Sequence, residues 1–230
     1  MNLTNLMILA RAYVPQAKLQ AIDAATMLLI LNEGALDVSL KATVLKTNST
    51  FNTVANQQEY DLKTVVTRYL AIDKGGAWYL SGTTWKKLYP KTVEWLDENI
   101  QNWRNGAAGE PLYYYIQSDK LGFYPKPSAT VVNGIKLYFI QRPTPMANVA
   151  PATEYPFDGS TEIDQYAPYS DSVLDFWIWK ARRILAFPEQ EVIAAKSQYM
   201  QNLSERYNQI NKRVDIAYDR NAKLQGMRIP

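Results

Sequence analysis

A long run of apolar residues near the C-terminus repeats at intervals of three and four positions, and it constrains the fold more than any other feature. Pro188 is predicted to begin a helix, because the backbone N–H of the first helical residue has no partner within the helix and proline lacks this group. Glu189 and Glu191 follow in the first turn. The apolar seam consists of Val192, Tyr199, Leu203, Tyr207, Ile210, Val214 and Ala217. Continued to about residue 218, the helix is roughly 45 Å long. Such a helix cannot bury its seam alone, so it must pack on other helices of the chain or on another subunit.

The first 45 residues also show helical periodicity, in two segments. Thr4 is placed to cap a short helix, which Pro15 ends. Residues 18–45 form a second helical pattern, in which Gly34 lowers helix stability and marks a kink or break. The apolar face of the first helix is predicted to contain Leu6, Ile8, Leu9 and Tyr13.

The middle of the chain is rich in β-branched and aromatic residues separated by turn formers, which is typical of strands. Two strands are predicted around a turn near residues 56–58, and two more around residues 73–76, where the sequence reads DKGG. Further strands are predicted at LYYYIQ, LGFYP and GIKLYFIQRP. One amphipathic helix interrupts them, beginning after Thr92 and extending to about Trp103.

A stretch rich in Pro, Ala and Tyr follows the strands at residues 144–170 and has neither helical nor strand periodicity. A connection of that length without secondary structure is uncommon, so it is predicted to be an ordered arm or loop that carries an interaction. The next helix is predicted to be capped by Asp171, with Arg182 and Arg183 toward its C-terminal end, where the helix dipole favours cations.

These patterns predict an α+β protein, in which the N- and C-terminal helices form a helical bundle and a β-rich insertion of antiparallel hairpins lies between them. The predicted parts are a helical bundle of residues 1–46 and 171–218, a β-rich insertion of residues 47–143 with one helix near 92–104, an extended loop or arm of residues 144–170, and a flexible C-terminal tail of residues 219–230.

Composition excludes several kinds of chemistry. The 230 residues include no Cys and no His, which rules out thiolate nucleophiles, Ser-His dyads and metal sites built on imidazole or thiolate. The formal net charge is only +3, well below that of a chain that binds nucleic acid mainly through its charge. The most apolar run, ATMLLIL, is too short to span a bilayer, and the N-terminus does not have the pattern of a signal peptide. We therefore expect synthesis in the cytoplasm and no membrane partner. The few residue types left for chemistry also favour a protein with no cofactor, no metal and no catalytic residues over an enzyme.

Two functional alternatives remain open on the residues alone. A glycoside hydrolase would need two carboxylates at a suitable separation, and Glu154 with Asp158 or Glu162 with Asp164 could supply them. A module that binds carbohydrate or nucleic acid would need exposed aromatic rings beside cations. The tyrosines of GEPLYYYIQSDKLGFYPKPS, residues 109–128, lie near Lys120, Lys126 and Lys136. Strand alternation places Tyr113 and Tyr115 on one face and Tyr114 and Ile116 on the other, so a structural role for these tyrosines is favoured.

The order of these motifs resembles that of the bacteriophage head-to-tail adaptor proteins, also called connector or neck proteins, which form the portal-bound ring of tailed phages. The likeness covers the whole chain, from the short N-terminal helices through QQEYDL and the tyrosine-rich stretch to GIKLYFIQRPTPM and the helical C-terminus. The family-signature hairpin is carried by Gly109, Pro111, Tyr113, Tyr114, Phe123, Tyr124, Pro125 and Pro127. The following strand carries Leu137, Tyr138 and Phe139 before Arg142 and Pro143.

The resemblance implies a structural virion protein at the head-tail junction, with no enzymatic activity. It implies a ring of neighbouring adaptor subunits, usually a homo-dodecamer, that docks on the portal protein and stabilises the packaged head. It also implies that the ring extends the channel for double-stranded DNA and presents a surface to the next tail or nozzle component. The family often reaches the portal with its C-terminal end, which by position implies portal contacts for Arg220, Lys223, Leu224, Met227, Arg228 and Ile229.

Overall fold

The chain folds into two compact units, one formed by residues 1–44 with 143–230 and the other by residues 45–142. The computed structural model describes the backbone of residues 3–15, 22–147 and 167–226, and the side chains of residues 5–15, 22–147 and 169–208. Helices make up the first unit and two four-stranded sheets form the second, so the predicted α+β class is confirmed. The elements are, in chain order, α1 (Leu3–Ala12), α2 (Ala24–Ala42), β1 (Lys46–Phe51), β2 (Glu59–Asp61), α3 (Leu62–Val65), β3 (Tyr69–Ser81), β4 (Thr84–Lys87), β5 (Tyr89–Pro90), α4 (Val93–Asn99), a 3-10 turn (Trp103–Asn105), β6 (Tyr113–Gln117), β7 (Lys120–Tyr124), β8 (Ile135–Gln141), α5 (Ala167–Ile184) and α6 (Glu189–Gly226).

Helix α1 buries a narrower face than its sequence predicts. Leu6 and Ala10, which are one helical turn apart, are fully buried. Three of the four residues assigned to the apolar face are instead exposed, namely Ile8, Leu9 and Tyr13. The helix begins at Leu3, so Thr4 lies inside it and does not cap it.

Helix α2 is continuous through Gly34, and the expected kink is absent. Asp23 caps this helix by accepting a hydrogen bond from the backbone N–H of Thr26 at 2.6 Å. Gly34 is buried, and a Cβ atom there would lie 3.0 Å from Cδ1 of Phe176 on α5. The glycine therefore allows α5 to pack closely against α2, and this packing offsets its cost to the helix.

Helices α5 and α6 pair antiparallel through a polar cluster as well as an apolar seam. The Asp175 carboxylate accepts hydrogen bonds from Asn202 and Arg206, both at 3.0 Å, and Arg206 also donates to the Ser172 hydroxyl at 2.7 Å. Of the predicted seam, Tyr199 and Leu203 are buried, whereas Val192 and Tyr207 are half-buried. The side chains of Ile210, Val214 and Ala217 lie outside the described residues.

Two helix boundaries differ from the prediction. Helix α5 begins at Ala167, so Asp171 lies one turn inside it and is not its cap. Helix α6 continues to Gly226, beyond the predicted end near residue 218. The backbone of residues 219–226 is therefore helical, although the sequence predicted a loose tail there.

Two sheets form the β unit, with strand orders β1-β8-β3-β4 and β2-β7-β6-β5. Their apolar side chains meet in one core, in which Leu137 and Phe139 from β8 join Leu121 and Phe123 from β7. The first predicted hairpin is wrong in its pairing: its two strands are present as β1 and β2, but they lie in different sheets. The connection between them pairs instead with the segment before β8, through hydrogen bonds from Thr53 N to Val131 O and from Asn56 N to Pro127 O.

The second predicted hairpin is also wrong, because β3 runs through residues 73–76 as one strand of 13 residues. Its pairing with β8 shifts register between Ile72 and Ala77, which marks a bulge. Gly75 leaves room for the Tyr138 ring, since a Cβ atom there would lie 2.6 Å from Cγ of Tyr138. Gly76 has a φ of +66°, which glycine adopts without strain. The two glycines therefore form a bulge where the sequence suggested a turn.

Candidate functional site

The tyrosine-rich stretch forms the hairpin that its sequence predicts. Strands β6 and β7 pair antiparallel from Tyr113 opposite Tyr124 to Gln117 opposite Lys120. Ser118 and Asp119 make a two-residue turn, in which Ser118 has a φ of +55°. This turn length determines the register, so Tyr115 lies opposite Gly122.

Alternation along β6 separates the tyrosines as predicted. Tyr114 points into the core between the sheets, with Tyr60 and Phe123. Tyr115 packs on the other face against Leu96 and Trp103, and its ring meets Trp103 edge to face at 5.2 Å between centroids.

Tyr113 lies on the same face as Tyr115 and contacts Trp95, with ring centroids 5.6 Å apart. The Lys91 ammonium lies 3.7 Å from the centroid of the Trp95 ring. Tyr124 is half-buried and meets Trp103 edge to face at 6.2 Å. Helix α4 and the turn after it therefore cover this face of the hairpin.

The Tyr115 hydroxyl is hydrogen-bonded although its ring is buried. It donates to Oε1 of Glu59 at 3.2 Å, and Oε2 of the same carboxylate accepts from Lys120 at 3.2 Å. Burial raises the pKa of Tyr115, and the Glu59 charge raises it further. The group is thus a neutral donor near neutral pH and has no features of a catalytic base.

The glycine and prolines that flank the hairpin hold its two ends together. Gly109 bridges Pro127, with hydrogen bonds from Gly109 N to Lys126 O at 2.9 Å and from Ser128 N to Gly109 O at 3.0 Å. Pro111 and Pro127 are buried, and the peptide bond between Tyr124 and Pro125 is cis. All eight signature residues therefore serve the structure of the hairpin.

This arrangement leaves little room for a stacking platform at the hairpin. Tyr114 and Tyr115 are buried, and Tyr113 and Tyr124 are half-buried against tryptophans. The carboxylates considered for hydrolysis, Glu154, Asp158, Glu162 and Asp164, lie outside the described residues. Within the described chain, no cluster of acidic side chains could hold a metal ion. No helix in that part of the chain is long and apolar enough to cross a membrane.

The residues assigned to portal contact lie at the end of α6 and beyond it. Arg220, Lys223 and Leu224 are in the helix, and Met227, Arg228 and Ile229 lie outside the described residues. The contacts between α5 and α6 place Ala167, the start of α5, opposite about residue 211. About fifteen residues of α6, roughly 22 Å of helix, therefore extend past the start of α5.

Sequence reasoning missed two residues on which the hairpin depends. Gly122 lies under the Tyr115 ring, and Glu59, on strand β2, accepts a hydrogen bond from the Tyr115 hydroxyl. A two-residue turn at residues 118–119 implies that Tyr115 pairs with Gly122, so the role of Gly122 could have been predicted from the sequence. The approach of Glu59 depends on pairing between β2 and β7, which no local pattern reveals.

Alkaline solution is expected to unfold the protein cooperatively. Burial raises the pKa of Tyr169 to about 12, and burial also raises the pKa values of Tyr115 and Tyr199 above the ordinary value near 10. Because these pKa values are raised on folding, their contribution to stability is complete below about pH 10 and is lost as the pH rises further. Tyrosinate absorbance and circular dichroism should therefore change together above pH 10. Ionisation of all tyrosines near pH 10 with the fold intact would contradict this.

Comparison with known proteins assigns the chain to a family. A search of curated proteins finds no match. The sequence profile of the SU10 adaptor protein matches residues 1–225, which include both units, the signature hairpin and nearly all of α6. The chain therefore belongs to the SU10 adaptor protein family, a family of phage adaptor proteins.

Proposed function

We propose that the protein is a structural virion component that forms a ring of twelve copies between the phage portal and the tail. The ring extends the channel for double-stranded DNA, stabilises the packaged head and presents a surface to the next tail or nozzle component. The family match over residues 1–225 is the observation that carries this proposal. Electron microscopy of the protein mixed with its portal tests it.

The extension of α6 supports a role in binding another protein. A helix that continues roughly 22 Å past its partner helix has no neighbour in α5 along that length. Helices of low intrinsic stability are ordered mainly by tertiary packing, so such an extension gains order when a second chain packs on it.

We assign portal contact to the chain end within this proposal. Lys223 and Leu224 come three and four residues after Arg220, the spacings at which residues of a helix are neighbours on its surface. Met227, Arg228 and Ile229 continue the mixture of cationic and apolar residues. This composition fits an acidic portal surface with an apolar centre.

Deleting residues 219–230 is expected to weaken binding to the portal at least tenfold. Folding should be retained, because the contacts that Tyr199 and Arg206 of α6 make with α5 lie outside the deleted segment. Portal binding is measured by surface plasmon resonance, and circular dichroism checks the fold.

A pair of charge-matched variants separates a local contact from a general effect of charge. Arg220→Ala with Lys223→Ala should weaken binding, whereas Lys74→Ala with Arg183→Ala, which removes two exposed cations elsewhere, should not. Full portal affinity in the deletion variant would remove the assignment to the chain end.

A further inference from the structure

The sheet β1-β8-β3-β4 ends in two strands that are each paired on one side only. β1 pairs with β8 over six residues, and β4 pairs with β3 over four. Within the described residues, no strand pairs with the outer side of either one. An exposed edge of this kind is a template for a further strand.

Hydrogen bonds beside the two edge strands show which of their backbone groups point outward. Gln141 N donates to Leu45 O at 2.8 Å, so Leu45 faces β8, and by alternation so do Thr47, Ser49 and Phe51. The N–H and C=O groups of Lys46, Asn48 and Thr50 therefore point away from the sheet. Their side chains are exposed as well.

Strand β4 also has alternate backbone groups that point away from the sheet. Leu88 N donates to Ala77 O at 2.9 Å, so Leu88 faces β3 and the alternate residues Lys86 and Thr84 do too. The backbone groups of Trp85 and Lys87 consequently point outward. Within the described residues, this sheet thus has two edges without a paired strand, one on each side.

Neither edge strand contains a proline, which is one of the residues that protect sheet edges in monomeric proteins. β1 contains no proline, and its one charged residue, Lys46, forms an ion pair with Asp73 at 3.5 Å. Lys86 of β4 forms an ion pair with Glu110 at 2.6 Å. Two of the three lysines on these strands are therefore partly neutralised within their own chain, which lowers the repulsion between the edges.

We propose that β1 of one copy pairs with β4 of the neighbouring copy, so that the sheets of adjacent subunits continue into each other. This inference rests on the proposed ring. A contact between two different surfaces of the same chain closes into a ring when the rotation is suitable. Each copy supplies one β1 edge and one β4 edge, so a closed ring leaves neither edge open. A second copy is for this reason the occupant that matches both edges at once.

Paired cysteines test the contact, because the chain has no cysteine of its own. One cysteine replaces Lys46, Asn48 or Thr50, and the other replaces Trp85 or Lys87, which gives six double variants. Within one chain the two strands are three strand spacings apart, about 14 Å, which is too far for a disulfide. Rings are assembled on the portal, oxidised, and run on a denaturing gel without reductant.

The expected result is a ladder of disulfide-linked trimers and larger species in at least one double variant. Single variants can form dimers at most, and Asn48→Cys with Val132→Cys, where Val132 is exposed but lies outside the strands, should form no ladder. Rings without a ladder in any double variant would overturn the pairing and leave the proposed function intact. Absence of rings in the wild type would instead contradict the proposed function itself.

A proline variant gives an independent readout. The Asn48 N–H points outward, so Asn48→Pro removes no hydrogen bond within the sheet and should leave the monomer folded, whereas it blocks strand addition. We expect it to reduce ring formation on the portal at least tenfold, with Asn48→Thr as the control that keeps the N–H. Ring formation at the wild-type level by a folded Asn48→Pro variant would count against the pairing.

Discussion

Alanine at Gly122 is expected to destabilise the β unit by about 3 kcal/mol. A Cβ atom at this position would lie 2.0 Å from Cζ of Tyr115 and 2.4 Å from Cε1, far inside van der Waals contact. The Tyr115 ring cannot move away easily, because it is 1% exposed and meets Trp103 at 5.2 Å. The substitution must therefore displace the ring from the cluster under α4 or separate the two strands.

Denaturant unfolding followed by tryptophan fluorescence measures this loss, since Trp103 reports on the same cluster. Gly82→Ala is the matched control: Gly82 has a φ of +60°, but a Cβ atom there would meet nothing within 4 Å. Gly82→Ala should lower the free energy of unfolding by only about 1 kcal/mol, because alanine is disfavoured in the left-handed conformation. Adding Gly122→Ala to Tyr115→Ala should cause little further loss, because the obstructing ring is gone. Equal stability of the two single glycine variants would show that the Tyr115 ring does not pack on Gly122.

Tyr199→Ala is expected to lower the free energy of unfolding of the helical unit by about 4 kcal/mol. Tyr199 is fully buried at the junction of three helices, where it meets Phe176 edge to face at 5.5 Å and stacks on Trp179 at 6.2 Å. Its hydroxyl donates to the Asp37 carboxylate on α2. Truncation would leave a cavity between α5 and α6 and remove the link to α2.

Tyr199→Phe separates the ring from the hydroxyl. It keeps the aromatic contacts and loses one hydrogen bond, and Asp37 retains its ion pair with Lys41 at 2.8 Å. We expect a loss of about 1.5 kcal/mol in the free energy of unfolding. Thermal denaturation followed by circular dichroism compares the two variants. Equal losses would show that the hydroxyl, and not ring packing, holds the three helices together.

The parts of the fold that the sequence predicted are those set by local rules. Period-two alternation and a two-residue turn were enough to place β6 and β7 and to assign Tyr113 and Tyr115 to one face. The start of a helix after Thr92 was predicted, and Thr92 caps α4 by accepting a hydrogen bond from Trp95 N at 3.1 Å. Each of these features depends on residues within a few positions of one another.

The incorrect predictions concern features that depend on distant residues. Whether β1 pairs with β2 or with β8 is decided by contacts about ninety positions away, which the strand's own residues do not encode. The sequence around Gly75 and Gly76 suggested a turn because the Tyr138 ring, which Gly75 accommodates, lies in another strand. A break was predicted at Gly34 because Phe176, which packs on this glycine, lies on the distant helix α5.

In the candidate site, too, the sequence predicted the features set by neighbouring residues and not those that depend on distant ones. Alternation predicts that Tyr114 and Tyr115 point to opposite faces of the hairpin, and they are buried in two different clusters. The portal contacts stay a prediction, because residues such as Arg220 and Lys223 are assigned to a surface on another chain. Contacts within one chain cannot test that assignment.

Electron microscopy of the protein bound to the portal of its own phage tests the central claim most directly. We expect a closed ring of twelve copies coaxial with the portal, with the C-terminal end of α6 against the portal and a central channel continuous with it. Single copies bound at scattered positions, or a portal that carries no added ring at saturating protein, would contradict it.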